Sequence, residues 1–158
     1  MHFLVDGHNL IGRMPEIGLH DPDDEAKLVD LLHRFVLRHA RHQVTVVFDG
    51  GTYRHVRLRD PERVRTIFAR SPSDADSRLI EMIGACSNPA GYTLVSADRA
   101  VIAAAVTYGV KVLPPAEFRT MLNTPAPSRG RHHQPRPEPK QPRAAVDEWL
   151  QIFGAKDE

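Results

Sequence analysis

Cysteine is almost missing from this chain: among 158 residues there is one, Cys86. A single thiol excludes an internal disulfide and fits a reducing compartment. No apolar run approaches the ~20 residues that a membrane helix needs. The amino terminus, "MHFLVDGHN", enters a strand at once and lacks the basic stretch and apolar core of a secretion signal. A cytoplasmic location without membrane contact is therefore expected. Internal repeats are lacking too, and so is any large excess of charge, the formal net charge being +1. Apolar and charged fractions of 41% and 26% are those of an ordinary globular protein. The length suits one domain with a real core and a tail.

The near-neutral balance hides an uneven distribution. Arginines crowd the segment from Arg54 to Arg70 and again from Arg129 to Arg143, whereas acids gather in "HDPDDE" and after strands. Basic ground around an acidic centre suits a polyanionic substrate whose phosphate must reach a metal. Arg57, Arg59, Arg63 and Arg65 are the candidate phosphate contacts.

β-Branched runs alternate with helical stripes along the chain. Phe3–Val5 ends in the turn-like "DGHN". "HDPDDE" announces a helix, with Asp21 as cap, Pro22 in the first turn and Asp24 and Glu25 at the positive end of the dipole. Leu28, Leu31, Leu32, Phe35 and Val36 form its apolar stripe. "QVTVVF" and "VRTIFA" read as strands two and three. Ser73 or Asp74 starts a helix that turns Leu79, Ile80 and Ile83 inward. "YTLVS" is strand four, "RAVIAAAVTY" a helix closed by Gly109, "VKVL" strand five and "PPAEFRTML" a short helix opened by proline. This alternation predicts an α/β sandwich around a mostly parallel five-stranded sheet. From Asn123 to Arg143 the composition turns proline-rich and basic, as in an extended linker. Ala144–Phe153 recovers an amphipathic pattern in Val146, Trp149, Leu150 and Phe153.

Four aspartates stand after strands or at a helix head: Asp6, Asp49, Asp76 and Asp98. In an open parallel sheet the carboxyl ends of the strands share one edge, so residues distant in sequence meet there. Two carboxylates about 5 Å apart repel by roughly 3 kcal/mol at an effective dielectric near 20. An ionised cluster needs a cation, and Mg²⁺ or Mn²⁺ suits an all-oxygen site. Metal-dependent hydrolysis is the implied chemistry, and it needs no serine, cysteine or histidine triad. An aspartyl phosphatase would want a second acid two residues after the first, where this chain has His8. The adjacent His132 and His133 read as solvated linker residues, and Cys86 as a small buried apolar one.

At "VDGHNLIG", "VVFDGG", "DADSRLIEMI" and "VSADRAVIAAAVTYGVKVLPPAEF" the chain resembles the NYN domain of the PIN-like nucleases, in particular the YacP-like branch. The resemblance spans residues 1–122, leaving 123–143 as linker and 144–158 as terminal helix and tail. It implies a PIN-like three-layer sandwich and metal-dependent endoribonuclease activity, with single-stranded or flexible RNA as the expected substrate. By motif position Asp6, Asp76 and Asp98 match the catalytic, metal-binding acids. Asn9 matches the polar residue after the first strand, and Asp49 the acid ending the second. Asp74 reads as the cap that competes with Asp76, and Ser96 as a secondary pocket residue. A non-catalytic RNA-binding adaptor with the same fold is the alternative. Expected partners are RNA, ribosome association included, and a protein partner or second copy reached through the terminal helix.

Overall fold

The sheet owes its form to strands that are apolar on both faces, a pattern that demands helices above and below. In a computed structural model, which describes residues 1–18, 20–50 and 63–125, strands and helices alternate. The elements are β1 (His2–Asp6), α1 (Gly7–Ile11), α2 (Asp24–Arg38), β2 (Gln43–Asp49) and β3 (Val64–Ala69). There follow α3 (Ala75–Gly84), a 3₁₀ turn (Pro89–Gly91), β4 (Tyr92–Val95), α4 (Arg99–Tyr108), β5 (Lys111–Leu113) and α5 (Pro115–Asn123). All four strand pairings are parallel, and the order is β3-β2-β1-β4-β5. The sheet is thus wholly, not mostly, parallel.

Alternation along each strand sorts side chains into two cores. Phe3, Val5, Val46, Phe48 and Val95 pack under α1, α2 and α5 with Leu32, Phe35 and Phe118. Leu4, Val47 and Leu94 face the other way, onto Leu79 and Ile83 of α3 and Val101 and Ala105 of α4. On the expected helical stripes Leu28, Leu32, Phe35, Val36, Leu79 and Ile83 are buried, whereas Leu31 and Ile80 are only partly so. Gly109 closes α4 at φ 77°, a left-handed conformation that glycine adopts without strain.

Two local expectations are corrected. "DGHN" is not a free turn: α1 begins straight after β1, because the Asp6 side chain caps it by accepting the Asn9 N–H. The second helix starts at Asp24, not around Asp21 and Pro22. Asp21 instead folds its carboxylate back onto the Asp23 N–H and the Lys27 ammonium, while Asp24 and Glu25 do occupy the first turn. Arg57, Arg59, His132, His133, the segment 126–143 and the 144–158 segment lie outside the described residues. Among those described, no helix is long and apolar enough to cross a membrane.

Candidate active site

Strand order reverses between β1 and β4, which pair directly although far apart in sequence. Such a reversal opens a crevice at the carboxyl edge, since the connections from the two strands leave in opposite directions. Asp6 ends β1, and Ser96 and Asp98 follow β4, so they flank this crevice. Asp49 ends the neighbouring β2, and Asp74 and Asp76 lie at the head of α3.

Each side chain is held by a local bond. Asp6 is 6% exposed; its Oδ1 accepts the Asn9 N–H at 3.4 Å and its Oδ2 accepts the Ser96 hydroxyl at 3.4 Å. Ser96, itself buried, accepts the Asp98 N–H through its Oγ at 3.1 Å, bridging both sides of the crevice. Asp98 caps α4: Oδ1 accepts the N–H groups of Ala100 at 2.9 Å and Val101 at 3.1 Å. Both bonds go to one oxygen, Oδ1, and no hydrogen bond to the other is formed among the described residues. Asn9 ties α1 to the loop after β4 by accepting the Ala97 N–H at 3.1 Å. Asp49 Oδ1 accepts the Ala75 N–H at 2.6 Å, and Asp74 Oδ1 accepts the Ser77 N–H at 2.7 Å, so both anchor the start of α3. Asp74 is the cap of that helix, and Asp76 lies inside its first turn.

The electrostatics follow from this crowding. Burial pushes the Asp6 carboxyl up to about 6, and the charges of Asp76 and Asp49 add to the rise. Asp76 is raised as well, by burial first and then by Asp98, Asp74 and Asp49, although it stands within hydrogen-bond reach of Asp6. Each carboxylate thus disfavours the charge of the other, and the two are coupled in their titration. Asp74, stabilised by the Ser77 bonds, is lowered instead. Among the described residues no three of His, Cys, Asp and Glu form a ready-made metal cage.

The basic residues are arranged differently from the sequence reading. Arg63 and Arg65 lie at the amino end of β3, while the acids lie past the carboxyl ends of the strands. Arg63 Nη2 donates to the carbonyls of Val36, of His39 at 2.8 Å and of His42 at 3.2 Å, at the end of α2 and in the turn after it. Positive charge is favourable there because the last carbonyls of a helix carry its negative pole. Arg63→Gln is therefore expected to cost about 1.5–3 kcal/mol of stability, the range for hydrogen bonds from a charged donor. Its RNA affinity and salt slope should stay near those of the parent; a urea titration and a salt series of binding curves check both.

Arg70, directly after β3, and Arg99, the first residue of α4, are exposed at the acidic edge. Sequence reasoning passed over them because arginine density, rather than distance from a strand's carboxyl end, guided the choice. It also passed over the pairing of His8. Nδ1 of His8 accepts the Asp49 N–H at 3.4 Å, so in the neutral ring Nε2 carries the proton and donates to Glu25 Oε1 at 3.1 Å. His8 thereby links α1, α2 and the end of β2.

A family model for the YacP-like NYN domain matches residues 3–151. The chain belongs to the YacP-like NYN domain family. For this NYN domain the matched region runs past α5, beyond the boundary at residue 122 drawn from the motifs. Two crystal structures of Rae1 (YacP) from Bacillus subtilis are similar in fold. One, of a point mutant, is 24% identical with a TM-score of 0.62, covering 77% of this chain and 74% of that one. The other is 20% identical with a TM-score of 0.60, covering 77% and 73%. The fold is PIN-like and the NYN domain is nuclease-like. No curated protein matches the chain significantly.

Proposed function

We propose that this NYN domain is a metal-dependent endoribonuclease that hydrolyses phosphodiester bonds in single-stranded or flexible RNA. The observation that carries the reading is the Asp6–Asp76 pair at the strand-order reversal. Both carboxyls are raised, and every neighbouring charge that raises them is another carboxylate. Carboxyls crowded in this way are stabilised in their charged form by a bound cation.

The donor set fits a hard divalent ion: the facing groups are carboxylate oxygens, with the Asn9 amide and Ser96 hydroxyl beside them. Mg²⁺ needs only one or two protein carboxylates because it keeps several of its waters. A ready-made cage of three acids is therefore unnecessary. Asp6 and Asp76 would hold the ion, with Asp98 offering its uncommitted oxygen. When bound, Mg²⁺ or Mn²⁺ supplies an acidified water and neutralises charge on the phosphoryl oxygens. The chain's own residues orient the parts. Ser96 and Asn9 fix Asp6 against the loop after β4, Asp49 fixes α3 and with it Asp76, and Arg70 and Arg99 attract the RNA backbone to the edge. A site at a sheet edge suits flexible strands, whose phosphates can be brought into line with it.

That no three-acid cage forms among the described residues favours one other reading, an RNA-binding adaptor that retains the fold. Incubation of the purified protein with mixed single-stranded RNAs separates the two. Internal cleavage with Mg²⁺ or Mn²⁺, its loss with chelator, and its loss in Asp76→Asn are the expected results. Tight RNA binding without cleavage under either metal would establish the adaptor.

A further inference from the structure

At the opposite end of the sheet a second cavity, of about 410 Å³, opens beneath the end of α3. Small-molecule sites usually measure about 300–1,000 Å³. Strand register builds this one. His2 pairs with Gln43 and Tyr92 on either side, and Thr45 pairs with Arg65, so four strands contribute to one floor. Cys86, just past α3, closes one side. Gln43 here and Asp49 there stand at the two ends of the seven-residue β2, six steps or about 20 Å apart at a strand's rise per residue. This cavity is therefore a place of its own.

Its chemistry is the reverse of the acidic edge. Among the described residues no carboxylate lines it. Arg63 contributes to the wall, but its Nη2 donates to the carbonyls at the end of α2. Arg65 is exposed, and among the described residues no hydrogen bond or ion pair engages its guanidinium. Two aromatic rings line the cavity beside this charge. The rings of His2 and Tyr92 stack with centroids 4.8 Å apart at 21°. A 2.7 Å bond between His2 Nε2 and Thr45 Oγ1 keeps the His2 ring in place. Burial, followed by the amino terminus and Arg65, holds His2 below its ordinary range, so at neutral pH the wall is an uncharged aromatic surface. The Gln43 amide, at the rim, both donates and accepts hydrogen bonds.

An unpaired guanidinium beside a stacked ring wall and a two-way hydrogen-bonding amide matches a ligand with an anionic group, a flat heterocycle and polar ring edges. We infer that this amino-edge cavity binds a nucleoside monophosphate, with Arg65 on the phosphate, His2 and Tyr92 along the base and Gln43 at the base edge. The same chemistry is offered by a free nucleotide and by the 5′-phosphorylated end of an RNA chain. The site stands apart from the proposed nuclease edge and does not rest on it.

Calorimetric titration with chelator present, which keeps divalent ions out of the acidic edge, tests the assignment. The probes are AMP, GMP, CMP, UMP, adenosine and inorganic phosphate. At least one nucleotide should bind with 1:1 stoichiometry, about tenfold or more tighter than adenosine or phosphate alone. Arg65→Gln should weaken it by about tenfold or more, as expected for loss of a charged hydrogen bond. Asp6→Asn should leave it unchanged. A short RNA with a 5′-phosphate and its 5′-hydroxyl counterpart form the second arm. An Arg65-dependent preference for the phosphorylated RNA over the free nucleotide assigns the site to a chain end, and the converse assigns it to the free nucleotide. Melting curves confirm that Arg65→Gln remains folded. Failure of every nucleotide and of the phosphorylated RNA to bind would overturn the inference. So would equal binding of phosphate alone, or affinity unchanged in folded Arg65→Gln.

Discussion

Asp6→Asn raises the melting temperature of the metal-free protein at pH 8 and removes RNA cleavage, by on the order of a hundredfold or more. The stability gain follows from the direction of the Asp6 shift. In the folded protein this carboxyl titrates at about 6, against about 3.9 for an unfolded aspartate. Between those values the folded state holds a proton that the unfolded state has lost, so stability falls as pH rises. The contribution is fully present below about pH 4 and is gone above about pH 6. A difference near two pKa units corresponds to about 2–3 kcal/mol. Asparagine carries no charge into the buried position and still offers an oxygen to the Asn9 N–H. The variant should therefore melt about 5–10 °C higher at pH 8, with the advantage vanishing near pH 4. Thermal melts from pH 4 to pH 8 in chelator measure this directly; an identical pH slope in the variant would contradict it. Asp98→Asn should separate the two effects. Asparagine caps a helix about as well as aspartate, so stability should change by less than about 1 kcal/mol while cleavage is lost.

The second large effect is at Gly7. Helix propensity alone predicts that Gly7→Ala stabilises α1, by roughly 1 kcal/mol. Packing predicts the opposite. A Cβ on Gly7 would lie 2.2 Å from Phe48 Cε1 and 2.3 Å from its Cδ1. Phe48 is fully buried and stacked on Phe68 at 5.5 Å, so its ring has nowhere to retreat. Overpacking of this kind costs about 1–3 kcal/mol and sometimes more, and here it also levers Asp6 out of its place beside Ser96. Gly7→Ala should lose about 3 kcal/mol in a denaturant titration and most of the cleavage activity. Gly12→Ala, at the end of the same helix, meets its nearest atom at 3.5 Å and should be close to neutral. Partial rescue by a smaller side chain at Phe48 would confirm the cause; a Gly7→Ala protein as stable as the parent would exclude it.

Strands two to five were legible as β-branched runs, the first only from the turn-like "DGHN" that ends it, and four of the helices as apolar stripes with caps or prolines, because these signals are local. The carboxyl edge as the meeting place of Asp6, Asp49, Asp76 and Asp98 also followed from the alternation of strands and helices, since a parallel sheet sends every strand end to one side. α1 escaped notice because five residues, Gly7–Ile11, are too few for a periodic signal. Its existence depends on the Asp6 cap and on glycine's lack of a side chain against Phe48. The division of labour among the aspartates was likewise invisible. Asp49 and Asp74 spend an oxygen on the backbone of α3, while burial and like charge raise Asp6 and Asp76. Only the approach of segments distant in sequence creates those bonds.

The arginines mark the same boundary most sharply. Their number between Arg54 and Arg70 is a property of composition, and composition alone suggested a single phosphate-binding surface. Arg63 and Arg65 are two residues apart and both line the cavity beside His2 and Tyr92, yet Arg63 donates to the carbonyls at the end of α2 while Arg65 engages no hydrogen-bond partner among the described residues. Arg70, five residues further along, lies past the other end of β3. A strand rises about 3.3 Å per residue, so neighbours in sequence reach opposite edges of the sheet. Family, fold class and the acidic edge were thus written in local pattern and chain order. Which charges meet, and which are left without a partner, was settled only when the strands paired and the helices closed over them.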